Sequence, residues 1–125
     1  MKPLRIPQDA QKVAVDAVTA LLAGAGRTEA VSATLPADWT PASPMHVQVA
    51  FDGTPTVEWP IRTVAAIRVT VWGRIPTDVR TLARLCHGLV MTLDGVRPGA
   101  GLLPATDPNG AYLASFTVNW SLFDA

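Results

Sequence analysis

Only one cysteine, Cys86, occurs in the 125 residues, so no internal disulfide can form and nothing asks for an oxidising compartment. Charge is scarce as well. Charged residues make up 16% of the chain, where about 25% is usual, and ten Lys+Arg cancel ten Asp+Glu. A free-standing nucleic-acid binder draws most of its affinity from phosphate neutralisation and shows a basic excess, so that class is disfavoured. A net charge near zero also weakens colloidal repulsion, which suits a chain that lives inside an assembly. Long apolar runs are missing too. The most apolar stretch, residues 13–25, carries Asp16 and falls short of the roughly 20 residues that span a bilayer. Met1-Lys2-Pro3-Leu4-Arg5 lacks the uninterrupted apolar region of a signal peptide. The expectation is a protein made and kept in a cytoplasm, with no membrane partner.

Apolar residues are plentiful, at 49%. Disorder over the whole chain is therefore excluded, and a chain of this size hides roughly two-thirds of its unfolded surface on folding. It has room for one core, hence a single domain over 1–125, with 1–7 read as a flexible N-terminal arm. Residues 8–23 read as a helix, because Val13, Ala14, Ala17, Val18, Leu21 and Leu22 recur at three- and four-residue spacing. Gly24 and Gly26 offer left-handed stops. A short β-prone run, 29–35, precedes a proline-punctuated loop over 36–44. Residues 45–52 alternate, with Met45, Val47, Val49 and Phe51 on one side and His46, Gln48, Ala50 and Asp52 on the other. The turn Asp52-Gly53 ends that strand, and a second loop covers 54–60.

Strand 64–72 sets Ile67, Val69 and Val71 against Ala66, Arg68, Thr70 and Trp72. Thr77 reads as the cap of a second helix, with Asp78 favourably placed for its dipole. Val79, Leu82, Ala83, Cys86, Leu89, Val90 and Leu93 form its stripe, with Arg80, Arg84 and His87 off it. A long connection over 97–110 leads to the last strand, 111–123. There Tyr112, Ala114, Phe116, Val118, Trp120 and Leu122 share a face. The order α-β-β-β-α-β predicts an α+β fold, a mixed or antiparallel sheet with two helices packed on it and long loops.

Reactive constellations do not appear in this pattern. His46 and His87 lie on different elements, without the close spacing of zinc ligands. Cys86 sits on an apolar stripe as a small hydrophobe, and its neighbour His87 points about 100° away, unfit as its base. Asp38, Asp52, Asp94 and Asp107 each stand beside turn residues and bond local backbone. The glycines spell no phosphate loop. No catalytic residue, metal ligand or cofactor is assigned. Three long loops exceed the usual four to six residues or so, and such loops are functional or ordered by a neighbour. Trp39 and Trp59 sit in two of them. Either each folds back on its own core, or each contacts a partner, where Trp is enriched. Arg62, Arg68 and Arg74 form either a basic strip or a solvated face.

Several short patches, in order, carry a resemblance. Val31-Ser32-Ala33-Thr34-Leu35-Pro36-Ala37-Asp38-Trp39, His46-Val47-Gln48-Val49, Asp52-Gly53-Thr54-Pro55 and Ile67-Arg68-Val69-Thr70-Val71-Trp72 are four of them. Thr77-Asp78, Val96-Arg97-Pro98, Gly101-Leu102-Leu103-Pro104-Ala105, Asp107-Pro108 and Leu113-Ala114-Ser115-Phe116-Thr117-Val118 are the others, and the overall match covers about residues 8–123. The chain resembles the tail terminator proteins of long-tailed, siphovirus-type actinobacterial phages. That resemblance implies a structural protein and no enzyme: a homohexameric ring on the head-proximal end of the tail tube. The ring would stop polymerisation of the major tail tube protein and join the neck, or head–tail connector, proteins of the virion. It would be assembled in the bacterial host cytoplasm, and DNA would pass through it without specific binding. Candidate partner or subunit contacts, chosen on physical grounds, are Trp39, Trp59, Arg62, Arg97, Leu102, Leu103 and Asp107. The alternatives are another head–tail adaptor or head-completion protein, or a small α+β ligand-binding domain.

Overall fold

Period-two alternation on three strands builds the centre of the molecule. The computed structural model describes residues 10–58 and 62–123. The elements are α1 (Ala10–Gly24), β1 (Ala30–Ser32), β2 (His46–Glu58), β3 (Arg62–Gly73), α2 (Pro76–Val90), β4 (Val96–Pro98), β5 (Leu103–Thr106) and β6 (Tyr112–Phe123). The N-terminal arm over 1–7 and Trp59 lie outside the described residues. The sheet runs β1-β2-β3-β6-β4, and β5 also pairs with β6. β1 is parallel to β2, and the remaining pairings are antiparallel. The expected α+β fold with two helices on a mixed sheet is the fold observed.

Register explains the core. Val47, Val71 and Ala114 lie side by side across β2, β3 and β6, followed by Val49, Val69 and Phe116, then Phe51, Ile67 and Val118. All of these but Phe51 are buried, and both helices press their stripes onto them. α1 contributes Ala14, Val18 and Leu22, and α2 contributes Val79, Leu82, Ala83, Cys86 and Val90. α1 ends where the sequence places a stop. Gly26 takes φ +79°, while the amides of Gly26 and Arg27 donate to the carbonyls of Ala23 and Leu22 at 3.1 and 2.9 Å.

Local expectations are corrected at four places. β2 does not stop at Asp52-Gly53. Irregular register between Phe51 and Gly53 and between Gly53 and Thr56 absorbs the glycine and proline, and the strand continues to Glu58. The connection over 97–110 is not a plain loop, because β4 and β5 form a broken edge strand along β6. Between them Gly99 N–H donates to Thr117 O, and Thr117 N–H to Ala100 O, each at 3.0 Å. The cap of α2 is Ile75 in extended conformation, without a side-chain bond, and not Thr77. Pro76 starts the helix two residues earlier, since its fixed φ suits the first helical position and its missing N–H is not needed there. His87 turns inward, its ring 4.6 Å from that of Phe116, because it flanks the stripe of Ala83, Cys86 and Val90.

Gly73 is the tightest joint between layers. A Cβ there would stand 2.6 Å from Val79 Cγ2 and 2.9 Å from Met45 Cγ. Val79 is fully buried in α2 and has nowhere to retreat. Gly73→Ala is expected to cost about 1–3 kcal/mol by overpacking. Equilibrium denaturation should show a lower midpoint with an unchanged slope; an unshifted midpoint would contradict the packing of α2 on β3.

Candidate functional site

Among the described residues the candidate contacts do not converge on one place; Trp59 lies outside them. Arg62 opens β3 in backbone register with Glu58 and Phe123. Arg97 is exposed in the middle of β4, opposite Asn119. Leu102 is half-buried and packs against the core, whereas its neighbour Leu103 is 60% exposed on β5. Asp107 shapes the turn into β6, its amide donating to Ala111 O at 2.8 Å and its carbonyl accepting from Gly110 N–H at 2.9 Å. Arg97, Leu103 and Asp107 thus belong to one edge of the sheet. Trp39 belongs to the other. Arg68 and Arg74 are both exposed but stand six residues apart, roughly 20 Å along extended chain. They make no compact basic strip.

At the β1 edge the chain after β1 folds back so that Trp39 lies over the helix-free face of the sheet, while Met45 packs on the core side. The Trp39 ring meets Trp72 edge-on, with centroids 6.0 Å apart and planes at 66°. Its Nε1–H donates to Pro44 O at 3.0 Å. Trp72 Nε1–H donates to Gln48 Oε1 at 3.1 Å, and Gln48 Nε2–H reaches Ala33 O at 3.4 Å. Of the two readings open for Trp39, the geometry supports folding back on its own sheet. The loop is therefore tied down by its own chain. Ring contact and satisfied indole N–H groups together hold a segment that composition alone marks as irregular.

A second chain of bonds runs beneath it. Ser32 Oγ lies 2.6 Å from both Thr34 O and His46 Nε2. The hydroxyl has one hydrogen, and a carbonyl only accepts, so Ser32 donates to Thr34. His46 therefore carries its proton on Nε2 and donates to Ser32, leaving Nδ1 as a bare acceptor. His46 is only 6% exposed, and burial pushes its pKa below 6.5. A cavity of about 590 Å³ opens at this corner, lined by Trp39, Pro44, Met45, Thr28, Glu29 and His46. Glu29 accepts from Arg27 Nε and Nη2 at 3.0 and 2.6 Å.

The nucleophile inventory is quiet. Cys86 is buried in α2, and desolvation, helped by the Glu29 carboxylate, pushes its thiol up to about 12. A protonated thiol is a poor nucleophile and metal ligand. Among the described residues no three His, Cys, Asp or Glu gather to hold a metal ion, and no helix is long and apolar enough to cross a membrane. Sequence reasoning misses the His46–Ser32 link and the cavity, because both depend on a parallel pairing of β1 with β2. One signal was available: Trp72, a large apolar ring on the otherwise polar face of β3, asks for a cover.

Neither a scan of known protein families nor a search of curated proteins finds a match to this chain.

His46 carries a pH signature. Its lowered folded-state pKa means that the unfolded chain binds the proton more readily, so its stabilising contribution is complete above about pH 6.5. It is lost as the pH falls through the folded-state value. His46→Gln keeps an N–H for Ser32 and does not titrate. The stability gap between wild type and this variant should shift against the wild type on acidification from about pH 7.5 to 5. A gap independent of pH would contradict the burial of a neutral imidazole.

Proposed function

We propose that this chain is a phage tail terminator. Copies of it close into a hexameric ring on the head-proximal end of the tail tube, end polymerisation of the tube protein and present a surface to the neck, without catalysis. The observation that carries this reading is an open sheet whose two edges are unlike. One edge is β1, three residues long and parallel to its neighbour. The other is the broken β4–β5 strand, with exposed Arg97 and Leu103. A subunit that closes a ring by head-to-tail contacts needs two different, complementary sides, and unsatisfied sheet edges are ready adhesive surfaces. The order of the short sequence patches supports the same role. A formal net charge of zero suits a channel through which DNA slides without being gripped.

The subunit is otherwise built as a rigid body. The central strands are buried on the helix side, and the longest loop is bonded to its own sheet, so contact surfaces are held in place by the scaffold. Virion localisation and binding to tube and neck proteins belong to this proposal.

Leu103 provides the test. At 60% exposure on an edge strand, it contributes little to the isolated subunit. Leu103→Lys should stay within about 0.5 kcal/mol of wild-type stability. In sedimentation velocity with tail tubes present, the variant should fail to form or dock the ring. Docking equal to wild type would contradict the use of this edge.

A further inference from the structure

The lining of the cavity beside β1 combines hydrogen-bond acceptors with apolar side chains. His46 spends its Nε2–H on Ser32, and its other ring nitrogen, a lone pair, has no partner among the described residues. Glu29 accepts two bonds from Arg27, yet a carboxylate offers about four lone-pair positions and can take further donors. The Thr28 hydroxyl also accepts. The Trp39 indole, Pro44 and Met45 supply apolar surface to the same lining. The ring's own N–H is already bound to Pro44 O. An occupant that satisfies this corner brings several N–H donors and no acceptor, on an unbranched apolar stem.

We propose that this cavity binds a guanidinium group on an aliphatic stem, the side chain of an arginine. A planar fork of five donors can serve His46 Nδ1 and Glu29 together while a face of the same group stacks on indole. An ammonium has three donors and no plane. The arginine has two possible sources, a free arginine derivative or a second copy of this chain. For the second source, which rests on the ring reading, Arg97 is placed to serve. It is exposed on the opposite edge of the sheet and has no bonded partner among the described residues.

The probe is N-acetyl-arginine amide, titrated into the full chain while the Trp39 indole N–H and His46 ring resonances are followed by NMR. Saturable shifts at both residues are expected. The citrulline analogue, of the same shape but uncharged, should bind about tenfold more weakly, as should the arginine probe to Glu29→Gln. The citrulline comparison uses the wild-type chain and so does not depend on the variant folding. Absence of saturable shifts, or equal binding of the two analogues, would overturn the proposal. Sedimentation velocity separates the sources. Assembly that is dispersed by excess probe and lost in Arg97→Ala identifies the neighbouring copy. Assembly indifferent to both identifies a free ligand and leaves the ring reading standing. A chain that binds the probe but never assembles, even on tail tubes, supports the site and ends the ring reading.

Discussion

The central strand β3 is bonded on both sides, to β2 and to β6, and its inward residues Ala65, Ile67, Val69 and Val71 are all buried. Everything else is arranged around that double commitment. Because β3 shares register with both neighbours, three apolar rows become one continuous platform, and the two helices have a single place to bury their stripes. Removing that area from water, at roughly 25 cal/mol per Å², is the dominant stabilising term in a domain with two ion pairs among its described residues. One of those, Lys12 with Asp16, lies in the open on α1 and contributes little. The chain is held by packing and ladder hydrogen bonds.

The same arrangement decides where adhesion is possible. The middle of the sheet has its bonds satisfied, so unsatisfied backbone is pushed outward to β1 and to the β4–β5 ribbon. Among the described residues the helix-free face is covered at one corner, where Trp39 lies over Trp72 and His46 is buried. Elsewhere along that face Arg68, Thr117 and Asn119 keep contact with water. A firm body with two dissimilar margins is what a head-to-tail ring requires of each member. The corner cavity adds a polar recess to one margin and leaves the other its protruding side chains.

Much of this was legible in the residues. Strict alternation in Met45 to Val49, Ile67 to Val71 and Tyr112 to Trp120 marks the core-facing side of each central strand, while Phe51, expected on the same side, is 40% exposed. The three- and four-residue spacing in α1 and α2 identified the helix stripes, including Cys86 as a buried hydrophobe. What failed did so for physical reasons. Gly53 and Pro55 read as punctuation, but bulges let a strand carry both. Val96–Pro98 and Leu103–Thr106 are too short for periodicity to register, and they become strands only because β6 offers them a ladder. The pairing of Trp39 with Trp72 and of Ser32 with His46 joins residues 33 and 14 positions apart, which spacing along the chain does not encode. Of the seven contact candidates, Leu102 is half-buried against its own core and Trp39 is occupied within its own subunit. Trp59 and the Arg62 side chain lie outside the described residues, Asp107 shapes a turn, and Arg97 and Leu103 are the exposed pair among those described.

As the proposed tail terminator, this chain would act by adhesion at its sheet margins. Electron microscopy of tail tubes polymerised with and without the purified chain tests this most directly. A tail terminator leaves tubes of arrested length bearing a six-fold ring of this protein at one end. Tubes that lengthen unchecked, with neither end occupied by it, would contradict the account.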